Sequence, residues 1–455
     1  MPSDFPMSLL SSKGREIKIL FEGKSVSAFE GEPIAVSLHR NGVRIFSRSL
    51  KYRKPRGLLC MSGGCAQCMV NVDGIPNVRA CITPAKEGMK VKRQRGWPST
   101  ENDLVSSFLG IREVEAGFQY KAGITFWPVF MWAYTKLTGA GTLEYQKIPE
   151  IDYRYETMEK DVVIIGGGPA GLGAALELKD SPLKFTMIEQ MPWLGGDQVL
   201  FKGQNAELAA SPESHNVQEI VSSMDPKSML LETTVVGFYK PNTVLAIRHY
   251  EELYQLKAQR FIMATGAYED LPLVENSDVP GFYTYRGALI LMNGYGTKLG
   301  DRGVVIGEGE RADLVSQELE KSGVQVTKVS SGNVVRINGS SHVTGVVIKG
   351  ENGGSKTVSA DFAVAADGIN PRCELPSQGG APVKYNQGTR NYESTHDDSM
   401  RSTDVVYTAG SMCGSKSYQE SFVQGRIAGL SVAYEMTKES KYQTKLVKLR
   451  GELVA

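Results

Sequence analysis

Cysteine and histidine are scarce in this chain: six and five residues among 455. So few cysteines exclude a disulfide scaffold, which needs a far denser set in a short chain. The histidines, at positions 39, 215, 249, 342 and 396, fall at no metal-binding or triad spacing. Cys373 and Cys413 lie far apart and outside any redox motif, and read as core thiols. No residue set stands out as a base that would take a proton from a substrate, so no catalytic residue is assigned. Long hydrophobic runs are missing too. The most apolar stretch, ITFWPVFMWAY from Ile124 to Tyr134, is about half of what a membrane span needs and holds Pro128. It reads as an aromatic packing or interface segment. The opening MPSDFPMSLLSSKGREIKI lacks a basic head followed by an apolar core, so no secretory leader is expected. The expectation is a cytoplasmic protein with no membrane span.

Neither sign of charge dominates, since the formal net charge is +1. The balance is nevertheless uneven. Residues 1–100 hold 17 Lys/Arg against 7 Asp/Glu, a net of +10, and the remainder carries −9. The basic stretch RSLKYRKPRG, Arg48 to Gly57, reads either as a solvated face or as a docking surface for an acidic partner or electron donor. No recognition helix or base-stacking motif accompanies it, so nucleic acid is not an expected partner.

What is present begins with CMSGGCAQC. Cys60, Cys65, Cys68 and Cys81 put four of the six cysteines within 22 residues, spaced C-x4-C-x2-C-x12-C. That spacing matches the plant-type [2Fe–2S] pattern. Zinc ribbons use two separated CxxC knuckles, and a lone dithiol would leave Cys60 and Cys81 unexplained. The surrounding order agrees. EIKILFEGKSVSAFE reads as two strands around Gly23-Lys24, EPIAVSLHRNGV as a helix, and CMVNVDGIPNVRAC as a hairpin turning at Asp73-Gly74. Gly63 and Gly64 let the loop curl so that backbone N–H groups face the sulfurs.

A second signature starts at Asp161: DVVIIGGGPAGLGAALEL, then FTMIEQ. A buried strand runs into a glycine turn and a helix. Gly166 permits the turn, Gly168 the approach of a pyrophosphate, and Gly171 close packing of helix on strand. Pro169 and Ala170 begin the helix whose N-terminus attracts phosphate. Glu189, followed by Gln190, ends the next strand where an acid accepts hydrogen bonds from an adenosine ribose. Gly195 and Gly196 in LGGDQ suit a flavoprotein loop folded back over the pyrophosphate. FAD is the expected ligand, with NAD or ATP as alternatives in the same fold.

Arg302 to Gly332 repeats the plan with Gly307, Gly309 and Ala312 in the turn, but its second strand ends without an acid. Lys328 there is a candidate for a 2′-phosphate. FIMATGAYEDLP, with Thr265 and Gly266 in its turn, DFAVAADGINP and DVVYTAGS follow in the order found in two-dinucleotide-fold flavoproteins. Gly410 is followed by Ser411 where that family usually has an aspartate. The expected fold is multidomain α/β: a ferredoxin-like α+β domain followed by a Rossmann-like flavoprotein fold with two dinucleotide-binding domains. Its boundaries are 1–100, an aromatic-rich linker 101–158, a nucleotide domain 159–275 and 361–455, and an inserted second dinucleotide domain 276–360.

SLKYRKPRGLLC, PNVRAC, RGWPSTENDLVSSF and AGFQYKAGITFWPVF, all ahead of VVIIGGGPAGL, carry a narrower resemblance. The chain resembles the alpha subunits of heteromeric sarcosine oxidases, dye-linked proline dehydrogenases and opine oxidases. That resemblance implies a flavoprotein beta subunit that oxidises the amine, further small subunits, FMN between alpha and beta, and FAD, NAD or another adenine nucleotide in the alpha fold. Sarcosine oxidase alpha chains continue into a folate-binding domain, for which no room is left before Ala455. With all four cysteines kept, the expectation is a dehydrogenase of proline, sarcosine, hydroxyproline or an opine that passes electrons through a cluster. Two other readings stand beside it: a self-contained NAD(P)H:acceptor oxidoreductase, and a non-catalytic scaffold.

Overall fold

The computed structural model describes residues 14–49, 53–96, 98–104, 153–201, 216–350 and 353–454, with isolated positions between 128 and 135. They fall into two compact units, one of 151–270 with 368–455 and one of 13–150 with 271–367. The cysteine-bearing domain thus shares a unit with the second dinucleotide fold instead of standing alone. The aromatic stretch 124–134 lies almost wholly outside the described residues. No helix among them is long and apolar enough to cross a membrane.

In the cysteine-bearing domain, a five-stranded sheet runs in the order Lys24–Phe29, Glu16–Phe21, Lys90–Lys92, Met69–Val72, Ile75–Arg79. Alternation drives the first strand: Ile17, Ile19 and Phe21 are buried between exposed neighbours. Its hairpin turns at Glu22-Gly23, one residue earlier than the sequence pattern suggests. Both residues have positive φ, 51° and 79°, as a two-residue type I′ turn requires. Asp73-Gly74, at 50° and 91°, makes the second such turn, as expected. Helix Ile34–Arg40 follows Pro33 and buries every side chain through His39.

The basic stretch does not form a free face among its described residues. Arg53 is 4% exposed and grips Asp103 through two bonds, Nε to Oδ2 at 2.9 Å and Nη2 to Oδ1 at 2.8 Å. Arg48 donates to the carbonyls of Thr100 (2.6 Å) and Glu101 (3.0 Å). These arginines tie residues 100–103 down. Lys54 and Arg56 reach Asp278 at 3.2 and 3.4 Å, linking the domain to the second dinucleotide fold.

That second fold has a parallel sheet ordered Phe282–Thr284, Phe362–Ala365, Arg302–Ile306, Gln325–Val329, with helix Gly309–Lys321 joining the last two. A three-stranded antiparallel sheet, Val334–Gly339, Val343–Lys349 and Ser355–Ser359, completes it.

The other unit centres on strand Arg154–Ile165, paired in parallel with Phe185–Ile188 and along its whole length with Glu252–Met263. It begins at Arg154, inside the stretch expected to be linker. Val162 to Ile165 are buried without a break, the run expected of a strand covered on both faces. Helix Pro169–Leu178 starts with proline at its first position, where the missing N–H costs nothing. Helix Tyr418–Thr437 lies against it, begun by Ser417, whose hydroxyl accepts from Glu420 N–H. The two helices meet through glycines: a β-carbon at Gly425 would sit 1.8 Å from the Ala170 carbonyl oxygen, and one at Gly173 would sit 2.3 Å from that of Phe422.

Candidate functional site

The four-cysteine loop is folded by backbone turns and by one arginine. Met61, Gly63 and Ala66 take positive φ (52°, 73° and 55°), so the chain reverses between successive cysteines. Ser62 N–H points at Cys60 Sγ, 3.5 Å away. Arg79 Nη1 donates to Gly63 O at 2.8 Å, and Ala80 N–H to Cys68 O at 3.2 Å. Cys60, Cys68 and Cys81 are buried, Cys65 is half-buried, and none is in a disulfide. The thiols hydrogen-bond to one another. Donation from Cys65, then from Cys81, draws Cys60 well below the usual thiol range, and donation from Cys81 lowers Cys68. As donors, Cys65 and Cys81 are pushed up. Four thiols brought together by this loop, three of them buried, are a donor set that a metal group can complete. Among the described residues no three His, Cys, Asp or Glu side chains are arranged around a single ion. A two-iron cluster does not need such a centre, because its cysteines divide between two irons.

This loop rests on the second dinucleotide fold. Leu59 O accepts Thr284 N–H at 3.1 Å, and Leu59 and Cys65 pack into the core formed by Phe282, Val304, Ile306 and Ala365. On the far side of helix Ile34–Arg40, buried His39 Nε2 bonds Tyr283 OH at 3.1 Å. Burial lowers the His39 pKa to about 3, so this histidine is a neutral packing link.

In the other unit the expected nucleotide residues converge on one turn. Gly166 has φ 106°, and a β-carbon there would lie 2.1 Å from Ala264 O. One at Gly171 would lie 1.9 Å from Gly166 O. Gly168 differs: a β-carbon there meets nothing within 4 Å. Its missing side chain serves no internal contact, which fits a cradle kept open for a phosphate group at the N-terminus of helix Pro169–Leu178. Gly195 N–H bonds Gly167 O at 2.8 Å, and Gly196 lies against Gly168 and Pro169, so the LGGDQ loop does fold back on the turn. Thr265 Oγ1 donates to Arg372 O at 2.9 Å, and Arg372 N–H to Gly266 O at 3.0 Å.

Glu189 accepts Gly167 N–H on Oε2 and Met191 N–H on Oε1, both at 2.7 Å. Burial raises its pKa, against the pull of those N–H groups and of Arg372. Each oxygen keeps a second lone pair for a ribose hydroxyl. Gln190 follows in the same loop, its N–H also facing the carboxylate. At the position without an aspartate, Gly410 N–H is taken by Gln424 Oε1 at 2.8 Å. Neither Gln424 nor Arg372 was found from the sequence; each lies far in sequence from the turn it serves.

Gly307 and Gly309 belong to the other unit, and their turn differs chemically. Glu308 and Glu310, both exposed, flank the helix start. They satisfy the helix dipole and repel an incoming phosphate. Lys328, a candidate for a 2′-phosphate, is paired with Asp313. Cys373 and Cys413, expected to be core thiols, are both half-buried and close enough to sense each other's charge. Burial pushes Cys413 up to about 12, which leaves it protonated and unreactive.

Two substitutions test the ligand contacts. Gly168→Ala should leave the thermal midpoint unchanged and weaken FAD binding, because the new methyl enters only the cradle. Glu189→Ala should weaken it by about tenfold to a hundredfold, the loss of charge-assisted bonds worth ~1.5–3 kcal/mol. Fluorescence titration with FAD reads both, and full affinity in both variants would remove the site.

Comparison with known proteins matches a 2Fe-2S iron-sulfur cluster binding domain over residues 14–96 and a pyridine nucleotide-disulphide oxidoreductase domain over residues 160–329. The sarcosine oxidase alpha subunit of Rhizobium meliloti (strain 1021) is 27% identical over 83% of this chain and 42% of its own length. An opine oxidase subunit of Agrobacterium tumefaciens (strain Ach5) is 22% identical over 61% of this chain and 66% of its own. The crystal structure of L-proline dehydrogenase from P. horikoshii superposes with a TM-score of 0.71 at 27% identity, covering 97% of this chain and 78% of that one. The chain spans about two fifths of the length of the sarcosine oxidase alpha subunits it matches. It is similar to those alpha subunits over most of its own length, and it combines a [2Fe–2S] cluster-binding domain with an FAD-binding domain of the pyridine nucleotide-disulphide oxidoreductase fold.

Proposed function

We propose that this chain is the electron-handling alpha subunit of a flavin-dependent secondary-amine or amino-acid dehydrogenase. A flavoprotein beta subunit oxidises the amine, with FMN between the two chains, and electrons leave through the [2Fe–2S] cluster. The observation that carries this reading is the complete four-thiol loop in a chain aligned to sarcosine oxidase alpha over most of its length. The described histidines support the division of labour. His39 is buried and neutral, and His249 pairs with Glu232 at 3.2 Å. His342 is exposed, with Nδ1 on the Ser341 hydroxyl, and His396 Nδ1 is taken by the Asp397 carbonyl.

In this reading Cys60, Cys65, Cys68 and Cys81 hold the cluster, which supplies one-electron transfer. The turn at Gly166 to Gly171 seats the pyrophosphate of FAD, and Glu189 orients its adenosine ribose. Proline, sarcosine, hydroxyproline and opines are the substrate class, and the likeness to an L-proline dehydrogenase favours L-proline. A self-contained NAD(P)H reductase is disfavoured by the carboxylates at the second turn and by the Lys328–Asp313 pair.

Expressed alone, the chain should oxidise none of these amines. Purified with its flavoprotein partner, it should support amine-dependent reduction of an artificial dye. Substantial amine turnover by the lone chain overturns the reading.

A further inference from the structure

One residue, through its backbone and its side chain together, touches every segment that carries a cluster cysteine. Arg79 ends strand Ile75–Arg79, where it pairs with Met69, the residue after Cys68. It stands two positions before Cys81, and its carbonyl accepts Thr83 Oγ1 at 2.8 Å and Ile82 N–H at 3.2 Å, closing the turn around that cysteine. Its guanidinium crosses to the loop between Cys60 and Cys65 and donates to Gly63 O at 2.8 Å. That bond fixes the Gly63–Gly64 peptide, two peptide units along from the Ser62 N–H that faces Cys60 Sγ. The loop is open to solvent only at its tip: Gly64 and Ala66 are exposed, whereas Met61, Ser62 and Gly63 are buried. Arg79 is therefore a half-buried cation held against the loop through Gly63 O, and screened less than a fully exposed charge.

We propose that Arg79 sets the reduction potential of the cluster, holding it high enough to receive electrons from flavin. Plant-type clusters sit at roughly −400 mV, and charge and hydrogen bonding around the sulfurs move that value. Reduction adds one electron, supplied by reduced flavin in the enzyme or by a mediator in the test, and no bond forms or breaks. The added negative charge is stabilised by the guanidinium. Arg79 is a positioning residue: it touches the loop, not the amine. Its use rests on the electron-carrying reading above, but the potential is measured without amine. A dead amine assay and an unmoved potential are thus separate results.

The test is a mediated redox titration of the full chain carrying its cluster, followed by electron paramagnetic resonance. Arg79→Gln should lower the ratio of reduced to oxidised cluster about tenfold at fixed ambient potential, which is ~59 mV for one electron. Arg79→Lys should keep most of the wild-type potential. Lys24→Gln is the control. Lys24 is exposed on the opposite edge strand, four strand spacings or roughly 19 Å away, more than twice the Debye length. It should change nothing.

Should Arg79→Gln retain too little iron to titrate, Arg79→Met carries the same test, since it also removes the charge and keeps the aliphatic stem. An unmoved potential in the neutral variant, or a fall in Arg79→Lys as large as in the neutral variant, would each overturn the proposal.

Discussion

Gly425→Val should destabilise the FAD-binding unit by ~3 kcal/mol or more and take nucleotide binding with it. The cause is local and severe. A β-carbon at Gly425 would fall 1.8 Å from the Ala170 carbonyl oxygen and 2.7 Å from the Ala170 Cα. The obstacle is backbone, so no rotamer change relieves it. Helix Tyr418–Thr437 has to slide off helix Pro169–Leu178, breaking the packing of Leu172, Ala175, Phe422 and Ile427 in one buried cluster. Ala170 is also in the first turn of the helix that starts at the phosphate cradle, so the shift spreads directly to the ligand. At ~2–4 °C per kcal/mol, the thermal midpoint should drop by roughly 6–12 °C. A valine variant that melts with the wild type and retains FAD would show that the helices do not pack as described.

How much of this was legible depends on how local each signal is. The cluster-binding domain was, because its signal lies in the spacing of four cysteines and in a loop between two short hairpins. So were Gly166, Gly168 and Gly171, whose roles are separated by what a side chain would strike. The seat of the cluster loop was not. Leu59 meets Thr284 across 225 positions, and His39 meets Tyr283 across 244. Nothing in either segment alone marks its partner, so the cysteine-bearing domain read as an independent body.

The packing of the basic stretch was not legible for a related reason. Arginine count cannot tell a solvated face from Arg53 buried against Asp103, fifty residues later. Burying that charge would cost several kcal/mol without its partner, so the carboxylate and the arginine must fold together. The pairing of Lys328 was hidden in the same way: its partner Asp313 is on the preceding helix, and residue order alone does not mark the pair.

The account stands most directly on Cys68→Ser, measured in the complex of this chain with the proposed flavoprotein partner. Cys68 is buried, and its carbonyl is held by Ala80 N–H, so serine fits the space and removes only the sulfur. A serine oxygen is a poorer ligand for a [2Fe–2S] site than a thiolate, and the visible absorption of the cluster should be lost or sharply reduced. Cys373→Ser, in the other unit, should leave that absorption unchanged. With Cys68→Ser, amine should still reduce flavin in single turnover, while steady reduction of an external dye should fall to background. That pair of results places the cluster on the electron path. Dye reduction at the wild-type rate in a complex shown to lack iron and sulfide would contradict the central claim.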